Sequence, residues 1–256
     1  MAYKWITDIN ADGIPEEHYI PEDGGLGGSV EGSLKDGHTI NVNSVKELQE
    51  AFDGLEGKFC PGTVTINIAE GVHETESALA LSKPNMIKKI VVKGAGKANT
   101  TIKKTQTPNA YEAVLTVDGQ SDVDVEGLTI EVATSNNSLC IQNNGSKLKI
   151  KDVTCKGSQQ SSVSTYNNGE TEIVSGFDIV NSSNANFGIL TSKGSKLTLN
   201  NIDTLTMSNC NTGFLSEMGA MTLVFYTKIS ASGVTTKFSP ALNNHSGTGW
   251  NLGTEG

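Results

Sequence analysis

Gly145-Ser146-Lys147-Leu148-Lys149-Ile150-Lys151-Asp152-Val153-Thr154-Cys155 holds a pattern that much of the chain repeats. A glycine opens it, Leu148 and Ile150 alternate with lysines, and a second apolar pair, Val153 and Cys155, follows. Alternation with period two marks a strand with one buried face. The arrangement recurs on both sides. Gly119 precedes Val123 and Val125, Gly169 precedes Ile173, Gly194 precedes Leu197 and Leu199, and Gly219 precedes Met221 and Leu223. Successive glycines stand about 25 residues apart. The second pair recurs as Leu128/Ile130, Phe177/Ile179, Ile202/Leu205 and a looser Phe225/Ile229. Polar patches such as Ser135-Asn136-Asn137 and Ser182-Ser183-Asn184 close the turns.

A fixed period of this length with strand alternation inside it predicts a solenoid. One turn cannot bury its apolar row alone, but stacking places each inward Val, Ile or Leu on its counterpart one turn away. Ile90-Val91-Val92 with Ile102 supplies an earlier turn, and Val64, Ile66 and Ile68 the first. Ahead of that strand, Ser44 and Glu47 form a capping box. Val45, Leu48, Ala51 and Phe52 then share one helical face, and Gly54 ends the run. The expected fold is all-β: a right-handed parallel β-helix of about seven turns with a short N-terminal capping helix. A leucine-rich repeat needs its own Leu/Asn consensus and a propeller a longer period.

Three segments follow. Residues 1–43, with Gly24-Gly25-Leu26-Gly27-Gly28 and scattered apolar residues, read as an extended Gly-rich arm for attachment. Trp5, Ile6, Tyr19 and Ile20 are its candidates for docking onto the body or a partner. Residues 44–235 form the β-helix. Residues 236–256, with Phe238, Leu242, Trp250 and Leu252, read as a C-terminal lid or a subunit contact.

Composition narrows the function. The net charge is −9, and all 19 basic residues are lysines. No guanidinium is present to grip phosphate bidentately, and an acidic chain repels a polyanion, so nucleic acid is not an expected partner. Aromatic residues make up 5 %, too few for a deep sugar cleft lined by rings. Cys60, Cys140, Cys155 and Cys210 show no metal-ligand spacing and read as buried thiols. The N-terminus lacks a signal-peptide core and no stretch is long and apolar enough to span a bilayer, so membrane insertion is not expected.

The opening of the chain resembles the pectin-lyase-like superfamily of right-handed β-helices. Ser44 to Ala51 is similar to its N-terminal capping helix, and Thr63-Val64-Thr65-Ile66-Asn67-Ile68-Ala69-Glu70-Gly71-Val72-His73 to the entry into its first turn. Ile90-Val91-Val92-Lys93-Gly94-Ala95-Gly96 followed by Thr100-Thr101-Ile102 resembles the next turn. The resemblance implies the fold; the superfamily spans lyases, hydrolases, esterases, adhesins and phage tailspikes.

For an enzyme, the resemblance implies a basic residue with calcium-holding carboxylates, or an Asp-Asp pair with Gly-His-Gly. With no arginine, the base of a lyase would have to be a lysine; the hydrolase strings are absent, and Gly37-His38-Thr39 is the nearest match. The densest acidic group is Asp118, Asp122, Asp124 and Glu126. With Val123 and Val125 pointing in, Asp122, Asp124 and Glu126 share an outer face. They are the candidate glycan-binding or Ca²⁺ residues, set against a plain solvated face on which Lys147 and Lys149, one turn on, act as charge partners. Glu170 and Glu172 follow two turns away. His18, His38, His73 and His245 avoid the middle turns, and His73 reads as turn packing. No catalytic constellation is expected.

The layout of arm, solenoid and polar tail resembles phage tail or tailspike proteins. It implies a structural or receptor-binding virion component (tail fibre, tailspike or baseplate type), commonly a homotrimer. Other virion proteins would be bound through the arm, and a host surface glycan or receptor along the shaft. The alternative is a carbohydrate-active β-helix enzyme, a polysaccharide lyase or glycoside hydrolase, in an extracellular setting. A bacterial adhesin is a third reading and would need a secretion signal or passenger partner.

Overall fold

The computed structural model describes residues 3–9, 15–21, 33–106, 111–132, 138–225 and 227–239. Strands β1 (Tyr3–Ile9) and β2 (Pro15–Pro21) pair antiparallel in a sheet of their own. The solenoid opens with β3 (His38–Val42), helix α1 (Val45–Gly54), β4 (Phe59–Ile68), β5 (Gly71–Thr75) and β6 (Leu79–Leu81). It continues through β7 (Met86–Lys93), β8 (Thr100–Lys104), β9 (Ala113–Asp118), β10 (Val123–Val132), β11 (Leu139–Asn144) and β12 (Lys147–Lys156). The last strands are β13 (Ser161–Tyr166), β14 (Glu170–Ser175), β15 (Asp178–Thr191) and β16 (Lys196–Asn200). They end in β17 (Leu205–Ser216), β18 (Met221–Phe225) and β19 (Ile229–Ser239).

All solenoid strands pair in parallel and fall on three faces. The first face runs through β3, β4, β7, β10, β12, β14, β16 and β18. On the second lie β5, β8 and the later half of β10, followed by β12, β15, β17 and β19; the third starts at β6, β9, β11 and β13. The chain is thus an all-β parallel solenoid of about seven turns with one short helix among the described residues, the right-handed parallel β-helix expected.

The columns inside explain the shape. On the first face Ile66, Val92, Val125, Ile150, Ile173 and Leu199 lie in register, each no more than 1 % exposed. Ile102, Ile130, Cys155, Ile179 and Met207 line the second, and Leu115, Ile141, Val163, Ile189 and Phe214 the third. Each full burial of such a side chain is worth about 1.5–3 kcal/mol. None of it is available to a turn without a neighbour.

Helix α1 closes one end. Glu47 N–H donates to Ser44 Oγ at 3.1 Å and Asn43 N–H donates to Glu47 Oε2 at 2.8 Å, the expected capping box. Val45, Leu48 and Phe52 are buried. Gln49 accepts from Ala80 N–H at 2.9 Å and donates to Ala80 O at 3.1 Å, meeting the backbone of the otherwise open edge of β6. Gly54 is still helical; Leu55 caps the helix in right-handed geometry and the left-handed turn falls on Gly57, φ +66°.

The turn glycines align with two exceptions: Gly119 stands three residues before Asp122, where Gly145 stands two before Lys147, and Gly169 differs in conformation. Gly145, Gly194 and Gly219 take φ of 72°, 73° and 76°, but Gly169 does not have positive φ. Asn168, φ 62°, stands two residues before Glu170, as Gly145 stands two before Lys147, and supplies the left-handed residue instead. Other differences are local: after Gly219 it is Thr222 and Val224, not Met221 and Leu223, that lie over Leu197 and Leu199, and Met221 is exposed. The sheet begins inside the arm segment, because the short alternation Thr39–Val42 pairs with β4. Phe225 is 38 % exposed and does not continue the inner column, which accounts for its loose spacing. All four cysteines are buried and free, with Cys140 and Cys210 within strands. Ser135-Asn136-Asn137, His245, Leu242, Trp250 and Leu252 lie outside the described residues, as does Gly24 to Gly28.

Truncating the column predicts its own cost. Ile150→Ala is expected to destabilise by about 2–5 kcal/mol, whereas Val180→Ala, at a 46 % exposed site, stays within about 0.5 kcal/mol. Urea denaturation of both variants measures the difference.

Candidate functional site

The outer side of the first face carries the site. Strand alternation sends Val123, Val125, Leu148, Ile150 and Ile173 inward, so the residues between them project outward. Because neighbouring turns are in register, the outward residues form rows along the solenoid axis. Asp124 pairs with Lys149 and Lys149 with Glu172 in one row; Lys147 pairs with Glu170 and Glu170 with Lys196 in the next. Asp122 precedes Val123 as Lys147 precedes Leu148 and Lys89 precedes Ile90, so it lies in the second row, one turn after Lys89. Asp122, Lys147, Lys149, Glu170, Thr171, Glu172, Lys196 and Thr198 line a groove of about 340 Å³ with Leu148.

The two rows differ electrostatically. The inner row is bound up in ion pairs. Asp124 Oδ2 meets Lys89 Nζ at 2.8 Å, and Lys149 Nζ meets Glu172 Oε2 at 3.2 Å. Glu126, beside the groove, meets Lys93 at 3.0 Å and Lys151 at 3.7 Å. Asp124 Oδ1 is buried without a hydrogen-bond partner. The hydrogen bond from Lys89 to Asp124 raises the lysine's pKa over the opposing effect of burial. Burial pushes Glu172 up, but Asn200, Lys149 and Lys196 outweigh it and hold the carboxyl below its ordinary value. By contrast, Asp122, Lys147, Glu170 and Lys196 form no side-chain ion pair among the described residues. These four therefore read minus, plus, minus, plus, with one charge per turn and a step of about 4.8 Å.

The candidate carboxylates are thus divided by the structure. Asp124 and Glu126 have lysine partners, but these are Lys89 and Lys93 from the preceding turn and Lys151 from the following one, not the Lys147 and Lys149 expected: Lys149 pairs with Glu172 instead. Asp122 makes no ion-pair contact among the described residues, though its charge acts on Lys89, and the groove brings it together with Glu170 and Glu172 across the intervening lysines. Lys196 is the residue sequence reasoning missed. Its position one repeat after Glu170 was the available signal. Among the described residues no group of three or more His, Cys, Asp or Glu side chains is placed to hold a metal ion. His73 Nε2 lies 2.8 Å from Ala69 O within its own turn, and His38 lies on β3. Burial raises the Cys155 thiol well above its ordinary pKa, with Cys140 adding to it, and pushes Cys210 up to about 11. Such thiols are poor nucleophiles.

A second charged cluster has a structural part. Lys97 Nζ donates to Gly176 O at 2.9 Å and to Asp178 Oδ2 at 2.8 Å, and lies 3.4 Å from Asp152 Oδ1. Thr206 Oγ1 donates to the other oxygen of Asp178. The lysine reaches past the next turn to clasp the two beyond it, at the corner between the first and second faces.

No family model matches the chain, and no curated protein matches it. Among solved structures it is similar to one described as the structure of the PL6 family alginate lyase AlyGC. The TM-score is 0.41 at 10 % identity, over 97 % of this chain and 46 % of that one. The chain thus spans less than half the length of that structure.

The pairing of Glu172 has a pH signature. Its folded pKa is lowered, so its contribution is fully present above the unfolded value of about 4.3 and is lost as pH falls through the folded value. Glu172→Gln is expected to lower stability at pH 7 by no more than about 1 kcal/mol and to match wild type once both are fully acidified. Melting temperatures across an acid series test this; a constant difference at every pH contradicts it.

Proposed function

We propose that this chain is a non-catalytic binding shaft, which takes a charged glycan along the groove from Asp122 to Lys196. The observation that carries the reading is the row of four alternating charges, contributed by four successive turns and in no ion-pair contact among the described residues. A solenoid repeats one spacing along its axis, and a linear polymer repeats one spacing along its chain. Lys147 and Lys196 stand two turns apart, about 9.6 Å, a separation suited to acidic groups on alternate sugars of an extended chain. Asp122 and Glu170 offer acceptors at the same interval to amino or hydroxyl groups, and Thr198 adds a neutral partner. With few aromatic residues, recognition would rest on charge and hydrogen bonds rather than ring stacking.

Support for a binding role over catalysis comes from the state of Glu172 and from the ion pair that holds Asp124 beside the groove. A general acid at neutral pH needs a carboxyl with a raised pKa. Glu172 is shifted the other way, and Asp124 is tied to Lys89.

The finer part of the proposal places the shaft in a phage virion, as a structural or receptor-binding component of a tail fibre, tailspike or baseplate. Attachment would run through the N-terminal segment, and the assembly would be a homotrimer. Its support is layout: β1 and β2 form a sheet of their own ahead of a shaft whose N-terminal end is closed. Probing purified particles for this chain, and weighing the native assembly, tests that part separately.

Binding to a panel of acidic, neutral and amino-bearing polysaccharides tests the groove. Lys147→Gln/Lys196→Gln is expected to weaken acidic-glycan binding about tenfold or more, and added salt to weaken it for wild type. Chain shortening or unsaturated sugar products from wild type, abolished in Asp122→Asn or Lys147→Gln, would establish a carbohydrate-active enzyme instead.

A further inference from the structure

Two corners of the solenoid carry the same dipeptide. Asn144-Gly145 leads from β11 into β12, and Asn168-Gly169 leads from β13 into β14; the chain has no other Asn-Gly step. In a flexible chain this step is chemically reactive. Glycine has no side chain to shield its backbone nitrogen or to limit its rotation, so that nitrogen can reach the asparagine Cγ and displace ammonia. The structure treats the two steps differently.

Asn144 is held at both ends of its amide. Nδ2 donates to Asp118 Oδ1 at 2.8 Å, one turn back, and Oδ1 accepts from Asn167 Nδ2 at 2.5 Å, one turn on. Cγ cannot swing toward the Gly145 nitrogen until both bonds break, and the bond to the Asp118 carboxylate is of the stronger, charge-assisted kind. Asn168 is exposed, and no hydrogen bond reaches its side chain among the described residues. Its amide oxygen rests over Gly194, where an added Cβ would lie 2.5 Å from it. The backbone at this corner is a tight turn. Asn167 and Asn168 have φ of 55° and 62°, and Gly169 N–H donates to Tyr166 O at 3.0 Å, the pattern of a type I′ turn. Gly169 is buried beneath that turn, so its nitrogen is freed by opening one corner rather than the solenoid. Gly145 N–H donates to the same Tyr166 O, also at 3.0 Å. The two nitrogens thus start with the same bond, and the side chains make the difference.

We propose that Asn168 deamidates spontaneously in the folded protein, while the ladder Asp118–Asn144–Asn167 keeps Asn144 intact. The Gly169 nitrogen gives its proton to a solvent base and bonds to Asn168 Cγ, the Cγ–Nδ2 bond breaks, and ammonia leaves. Water then opens the cyclic imide at either carbonyl. One product is aspartate, which tolerates the left-handed turn as asparagine does. The other is isoaspartate, which routes the backbone through the former side chain and lengthens the corner between β13 and β14 by one carbon. Each product adds a negative charge two residues ahead of Glu170, whatever the groove binds.

The test incubates the full chain in mildly alkaline buffer, folded and, in parallel, in urea. Cleavage after lysine places Asn144 in the peptide 105–147 and Asn168 in the peptide 157–193. Fragmentation mass spectrometry then locates each deamidated residue, and isoaspartyl methyltransferase labels the isoaspartate. In urea both asparagines should react at similar rates. In the folded protein Asn168 should react about tenfold or more faster than Asn144. Asp118→Ala should release Asn144 and leave the rate at Asn168 unchanged. Two results would overturn the proposal: Asn168 no more reactive than Asn144 in the folded protein, or Asn144 indifferent to Asp118→Ala. The wild-type comparison of folded and urea-held chains decides the first even if the variant does not fold.

Discussion

Every turn of this protein is stable because another turn lies over it. The inward side chains of one turn have no partner within that turn, and the strand backbones bond only to the turns above and below. Stability is therefore a nearest-neighbour quantity, and two consequences follow. Register is fixed, since a slip by one residue would turn Ile150 outward and Lys149 inward. The ends are costly, and the structure spends a capped helix and the side-chain amide of Gln49 on one of them.

The same constraint creates the candidate site. Once inward residues are locked into columns, outward residues fall into rows whether or not they were selected to interact. On the first face those rows carry alternating charge because acidic and lysine-bearing turns alternate from β7 to β16. Asp124 and Glu172 of one row are held by Lys89, which reaches across from the adjacent row, and by Lys149. In that adjacent row Asp122, Lys147, Glu170 and Lys196 make no ion-pair contact among the described residues, so the groove holds equal numbers of acidic and basic groups at a regular step. A scaffold of this kind needs no aromatic platform and no metal to present a linear pattern to a linear ligand.

Sequence periodicity carried the fold because a solenoid is nearly one-dimensional: Leu148/Ile150 and Leu197/Leu199 reveal their burial by spacing alone. It was weaker where local chemistry substitutes for the repeat. Asn168 takes the left-handed place beside Gly169, and Phe225 leaves the column. The site was legible only in part. Alternation placed Asp122, Asp124 and Glu126 on one outer face, but which of them is free depends on lysine reach between turns. That reach, 2.8 Å for Lys89 to Asp124, is a property of side-chain geometry that spacing does not encode. The Lys97 clasp, which joins residues far apart in the chain, had no sequence signal of its own.

Lysine acylation footprinting, with and without an acidic polysaccharide, bears most directly on the groove. The account predicts that Lys147 and Lys196 lose reactivity together when the polymer is bound, while Lys46, 86 % exposed on α1, reacts as before. Equal protection of all lysines, or protection that spares Lys147 and Lys196, would contradict it.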